Sequence, residues 1–235
     1  MEGPQLGRHT MSPLVHPASL FRFRFPVQRL ARLAPLNDGQ AEASRLPNLA
    51  GVVGVPDVAM VSLGWHPDGL VVRATLRGVG KARWCHATKP EDSDGLQLWV
   101  ATRPTAESHR AGRFCRRLAI LPAGGGRQAT DPLVVAAAIP RATIVPSEDA
   151  EAMRMPLTLP TKVAAVSARS LADGWQVDAV LSAAAMPGWD PEEQSTLGFF
   201  AAVVDRRLGQ IPLFAPPEYP WDSDPTTWSF LELTG

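Results

Sequence analysis

Cys85, His86, His109 and Cys115 are the side chains whose types come nearest to a metal site, since four Cys or His groups can hold zinc in a tetrahedron. Their spacing does not suit one. Cys85 and His86 are neighbours, and on a strand neighbours point to opposite faces. The interval from His109 to Cys115 matches no zinc-finger pattern. Buried free thiols with surface histidines are the competing reading, so no metal ligand is assigned, and a disulfide between the two cysteines stays open. Two acidic loops follow the same logic: Glu91, Asp92 and Asp94 in one, Asp222 and Asp224 in the other. Glycosidases hold two carboxylates roughly 5–10 Å apart, and calcium takes hard oxygen ligands. Neither loop has EF-hand spacing, so calcium is left unassigned, and a zinc or carboxylate hydrolase stays an alternative. No Gly-x-Ser-x-Gly elbow or Walker loop occurs. Gly124-Gly125-Gly126 lacks the Lys-Ser/Thr that phosphate cradling needs and reads as a hairpin loop. No catalytic residue is nominated.

The seven tryptophans are the remaining handle. An indole offers a large flat apolar face, on which the C–H face of a sugar ring stacks. Trp84 and Trp221 stand in loop sequence among polar and charged residues, and these two are the ligand-binding candidates. Trp99, Trp175 and Trp228 fall in strand-like text and are expected in the core; Trp65 and Trp189 adjoin turns.

These candidates need a frame, and the frame reads as β. Leu20-Phe21-Arg22-Phe23-Arg24-Phe25 alternates aromatic and arginine, which puts the rings on one face of a strand. Further short strands are expected over 70–76, 96–102, 115–121, 133–139, 163–167, 175–181, 197–205 and 228–233, separated by Gly-, Pro- and Asp-rich turns. Residues 46–61 read as extended chain with turns, and Trp65-His66-Pro67-Asp68-Gly69 as a turn. Ser182 to Met186 allows one or two helical turns. Short turn-bounded strands with little helical periodicity imply an all-β, antiparallel two-sheet sandwich, jelly-roll-like, with few short helices. Residues 1–18 read as a flexible tail and 19–235 as one sandwich domain.

Composition narrows the partners. The 23 Lys and Arg balance 23 Asp and Glu, so no broad basic field exists for nucleic acid or an anionic membrane. No apolar run is long enough to span a bilayer, and no signal-peptide pattern opens the chain, so a cytoplasmic location is expected.

The order of segments resembles the family-nine carbohydrate-binding modules and the wider DOMON-like sandwiches. The residues that carry the resemblance are Trp65 with Gly69-Leu70-Val71-Val72-Arg73-Ala74, then Trp84, then Asp94-Gly95-Leu96-Gln97-Leu98-Trp99-Val100. Asp173-Gly174-Trp175-Gln176-Val177-Asp178, Leu197 to Asp205 and the closing Pro225 to Leu233 continue it, over about residues 50–233. The resemblance implies a non-catalytic module in which two tryptophans sandwich a sugar beside acidic, amide and arginine side chains. By motif position Trp84 and Trp221 match that pair, with Asp94, Gln97, Arg110 and Arg113 as hydrogen-bonding candidates. Two positions depart: Gln97 stands where the family carries an acid, and Asp178 where it carries a glutamate. The stretch Thr102 to Cys115 has no family counterpart; its Arg103, Arg110 and Arg113 suit an anionic sugar or carboxylate, or a polar sheet face. A haem, as in some DOMON relatives, lacks identifiable Met or His ligands. A protein-interaction sandwich without a sugar site is the alternative that the same residues leave open.

Overall fold

Leu96 to Ala101 and Leu197 to Val204 are apolar at nearly every position, and that decides the architecture. An alternating strand can leave one face to water, whereas a continuous apolar run needs both faces covered. These runs become β4 (Gly95–Ala101) and β10 (Thr196–Asp205), paired neighbours in which all of β4 and nearly all of β10 is buried. The structure, a computed structural model, describes residues 22–82, 84–104, 107–143 and 155–235. The expected tail over 1–18 and Phe21 lie outside the described residues.

Around β4 and β10 the larger sheet runs in the order β1 (Arg24–Gln28), β12 (Ser229–Thr234), β10, β4, β5 (Cys115–Gly125), β6 (Asp131–Ala137) and β7 (Leu157–Thr158). β11 (Gly209–Pro212) folds back on β10 as a hairpin. The smaller sheet is β2 (Ala59–His66), β3 (Gly69–Arg77), β9 (Gly174–Ser182) and β8 (Ala164–Ser170). This is the all-β two-sheet sandwich that the turn-bounded strands imply. Among the described strands one pairing departs from the antiparallel rule: β1 lies parallel to β12, at an edge of the larger sheet, and needs no hairpin to connect the two.

Local chemistry explains the smaller departures. Residues 46–61, expected to be extended, hold the short helix α2 (Ala50–Val53), which stops at Gly54 in the left-handed region (φ 74°). Trp65 and His66 close β2 rather than forming the turn, which is confined to Pro67 and Asp68. The helix α1 (Asp38–Ala43) carries almost no apolar period. Its signal is a capping box, with Asn37 and Gln40 satisfying each other's backbone N–H.

Between the sheets, Leu96, Leu98, Leu118, Ile120 and Val134 meet Leu70, Val72, Val177 and Leu181 in the main core. The opposite faces are covered separately. On the larger sheet, Ala119, Leu121, Leu133 and Val135 form a second apolar cluster against Cys85 and Ala87 of the 82–94 loop. On the smaller sheet, Val71 packs under Leu36 and Ala41. Arg73 pins that cover: its guanidinium donates to Asp178 at 2.5 Å, to Asp38 at 2.7 Å and to the Leu36 carbonyl at 2.5 Å.

Removing Arg73 strands Asp178, whose side chain is only 12% exposed, with Gln176 as its remaining partner. Arg73→Ala is expected to lower unfolding free energy by about 3 kcal/mol, as for a broken buried pair. Asp38 is exposed, so Asp38→Ala should cost less than about 1 kcal/mol. Urea unfolding followed by tryptophan fluorescence measures both, and equal losses would contradict the assignment of Arg73 to the Asp178 pair.

Candidate functional site

Asp94 begins the site, as a brace. It is 2% exposed; one carboxylate oxygen accepts from the Trp84 N–H at 3.0 Å and the other from the Arg206 N–H at 2.7 Å. A backbone bond from the Asp94 N–H to the Trp84 carbonyl (2.8 Å) closes the loop at its base. Inside it, the Ser93 hydroxyl accepts from the His86 N–H and donates to the Lys89 carbonyl, both at 2.8 Å. One buried acid therefore joins the Trp84 loop to the β10–β11 turn.

Gln97, Trp99 and Ala101 alternate with the core-facing residues of β4, so they point to the face of the larger sheet away from β3 and β9. Gln97 is fully buried. Its amide N–H donates to the Pro90 carbonyl, and its oxygen accepts from Arg117 Nε at 2.9 Å. The Arg117 guanidinium lies 5.0 Å over the Trp99 ring and reaches the Ala138 carbonyl at 3.3 Å. Burial pulls Arg117 below the usual guanidinium range, while Glu91 and Asp222 act the other way. Arg117 has no signal in the sequence, because its partners Trp99, Gln97 and Ala138 all come from other parts of the chain, 18 or more positions away.

Trp221 does not stand in an open loop. It is 6% exposed, stacked on Phe200 at 5.2 Å and edge-on to Trp99 at 5.4 Å. Two other indoles hold its loop to the sheet: Trp228 Nε1 donates to the Trp221 carbonyl at 2.7 Å and Trp99 Nε1 to the Asp222 carbonyl at 3.2 Å. The charge around it in sequence belongs to the rim of a cover, and the indole itself is the plug. With so little exposed, Trp221 presents no face to a sugar ring, and the expected sandwich with Trp84 is not formed.

Trp84 is half-buried and forms the wall between two recesses. One, of about 380 Å³, is rimmed by Glu91, Asp92, Asp205, Arg206 and Gln210. The other, of about 550 Å³, is bounded by Lys81, His86, Arg169 and Trp175. The exposed Arg206 guanidinium sits 5.2 Å over the Trp84 ring, and the His86 ring lies 4.4 Å away at 47°. Glu91 and Asp92 were legible as loop acids; Arg206 and Gln210 follow from the turn after the strongest apolar run.

The remaining candidates sit elsewhere. Arg110 and Arg113 line a third cavity, of about 330 Å³, at the other end of the same sheet face. Cys85 and Cys115 are both free. Cys85 packs beside Ala119 and Leu121, while Cys115 starts β5, so at about 3.3 Å per residue more than 10 Å of strand separates them. His109 instead meets Asp224 at 2.8 Å. Burial raises the Asp224 carboxyl, but hydrogen bonds from His109 and Thr226 outweigh that and hold it below the ordinary range. Among the described residues no three His, Cys, Asp or Glu side chains converge as a metal site would require. No helix among them is long and apolar enough to cross a membrane.

No protein-family model matches the sequence, and no curated protein matches it. Solved structures do match. One is a family-nine carbohydrate-binding module from Caldicellulosiruptor kristjanssonii in complex with glucose, at 14% identity and TM-score 0.53, covering 90% of this chain and 96% of that one. Another is a Bacteroides uniformis protein described, by inference, as carbohydrate-binding, at 10% identity and TM-score 0.52, covering 91% of this chain and 100% of that one. The fold is thus that of the family-nine modules, as the order of the segments implies.

Two measurements test this placement. Trp221→Ala should destabilise the chain by about 3–5 kcal/mol as a core cavity. Trp221→Phe should cost far less, because the indole Nε1 meets no acceptor among the described residues. Burial and the nearby Asp94 charge push the Cys85 thiol up to about 11. In a Cys115→Ser background, alkylation of Cys85 at pH 8 should run roughly 100-fold slower in the folded than in the urea-unfolded chain. Equal rates would show that the 82–94 loop does not cover the sheet.

Proposed function

We propose that this chain is a non-catalytic carbohydrate-binding module that recognises its glycan through Trp84. The observation that carries the reading is the half-buried Trp84 indole between two recesses with polar rims. A pyranose has apolar C–H faces and a girdle of hydroxyls, so it needs an aromatic plane with acceptors and donors beside it. Glu91, Asp92 and the Gln210 amide supply these in the smaller recess, and Lys81, His86 and Arg169 in the larger. Both volumes fall in the roughly 300–1,000 Å³ range of small-ligand pockets. The likeness to a module solved with glucose supports the same reading.

The platform is one-sided. Arg206 already covers the ring, and at an exposed site such a cation–π contact contributes about 0.5–1 kcal/mol. A sugar has to displace it, so affinity on the order of millimolar is expected. Asp94 and Gln97 act behind the site, holding Trp84 and the sheet cover in place.

A second reading has a specific observation in its favour. Trp221 and Gln97, which the resemblance puts at the sugar, are buried in internal packing. A sandwich that kept the fold and lost the sugar site, serving structure or protein interaction, would look the same at these positions.

Titration with glucose and retardation on polysaccharide gels separate the two. The carbohydrate reading expects binding that Trp84→Ala abolishes and Arg206→Ala leaves equal or up to about fivefold tighter. No binding to glucose or to any polysaccharide tested would favour the second reading.

A further inference from the structure

Among the described residues the cover over the larger sheet is also open at the end away from Trp84, and the residues there have a definite chemistry. Four registered positions cross neighbouring strands side by side: Phe230 on β12, Gly198 on β10, Ala101 on β4 and Cys115 on β5. Registered partners share a face, so this row lies on the same face as Trp99 and Gln97. Its two central members are the smallest side chains available. A Cβ on Gly198 would come within 3.0 Å of the Ala101 Cβ and 3.7 Å of the Trp228 ring, so the floor is as low as the packing allows. The result is a cavity of about 330 Å³ with an apolar floor.

The walls are cationic. Arg22, Arg103, Arg110 and Arg113 all line this cavity, and among the described residues no acidic one does. Only Arg103 has a carboxylate partner among the described residues, the exposed Glu193 at 2.6 Å. Arg22, Arg110 and Arg113 have no ion pair among the described residues. Arg113 lies 4.5 Å over the Phe114 ring and Arg22 lies 5.5 Å over Phe230. A guanidinium resting on a ring keeps its N–H donors in its own plane, at the edge, in the fork that matches a carboxylate. Phe114 is itself held close from behind: a Cβ at Gly188, which has φ 74°, would approach its ring to 2.7 Å.

We propose that this cavity binds a small organic carboxylate, with a ring-sized body on the apolar floor and its anion among Arg22, Arg110 and Arg113. Three arginines with no ion pair among the described residues stand around one apolar recess and repel each other, and an anion relieves that repulsion. A neutral sugar would leave the cations unpaired, and an inorganic anion would leave the floor empty. The site is separate from Trp84, which does not line this cavity, and does not depend on the carbohydrate reading.

Isothermal titration of the full chain at low salt tests it with two matched pairs: phenylacetate against phenylacetamide, and glucuronate against glucose. At least one carboxylate should bind roughly tenfold or more tightly than its neutral partner. The tighter of the two carboxylates then tells an aromatic acid from a sugar acid. Arg110→Gln with Arg113→Gln, both exposed and therefore tolerated by the fold, should weaken binding roughly tenfold or more. Trp84→Ala and Arg169→Gln should leave it unchanged. The proposal is overturned if, in a Trp84→Ala background that removes sugar binding at the other end of the sheet, neither acid binds more tightly than its neutral partner, or if the double variant binds like the parent. Complete competition by an equal concentration of inorganic phosphate would also overturn it, since that is general anion attraction.

Discussion

The larger sheet has two buried faces, and most of the molecule answers to that constraint. Strands β4 and β10 are apolar along nearly their whole length, so the smaller sheet can satisfy only one side of them. The chain covers the other side with its own loops. Residues 84–94 close over β5 and β6 through Cys85 and Ala87, and residues 213–228 close over β10 and β4 through Trp221. Asp94, accepting from backbone N–H groups of two separate turns, locks the first cover to the β10–β11 hairpin.

A cover of this kind buries polar atoms, and most of them are matched, the Trp221 indole N–H excepted among the described residues. Gln97 bridges Arg117 to Pro90, Trp99 donates to Asp222, and Trp228 donates to the loop that holds Trp221. These bonds seal the middle of the face. They also restrict where a ligand can go, because among the described residues only the two ends of the sheet remain open. At one end stands Trp84 with its two recesses; at the other, Gly198 and Ala101 leave the arginine-walled cavity. A site at either end inherits its rigidity from the sealed centre.

Much of this was legible in the residues. Turn-bounded apolar runs locate β3 to β6, β8 to β10 and β12, and the order of segments points to the fold. The alternation up to Phe25, by contrast, meets β1 only at its first residues, β2 reads as extended chain and a turn, and β7 and β11 carry no expectation. The roles of the loop residues were not legible, for a physical reason. A tryptophan among Asp, Pro and Ser looks exposed in a one-dimensional text, yet Trp221 is the plug over Phe200 and Trp99. The hint lay in the strands instead: LQLWVA and LGFFAAVV do not alternate, so an apolar lid had to come from somewhere. Arg117 and Asp94 stayed hidden because their partners come from distant strands and from backbone N–H groups. The grouping of Arg22 with Arg110 and Arg113 needed the register of four strands.

The most direct test of this account is a ¹⁵N-edited spectrum of the tryptophan indoles recorded during a glucose titration. Trp84 is half-buried between its recesses, whereas Trp221 and Trp99 lie under the cover. The account predicts that the Trp84 indole resonance moves saturably while those of Trp221 and Trp99 stay in place and exchange slowly with deuterium. Movement of Trp221 with a stationary Trp84 would contradict it, because the sealed centre of the sheet would then be the open site.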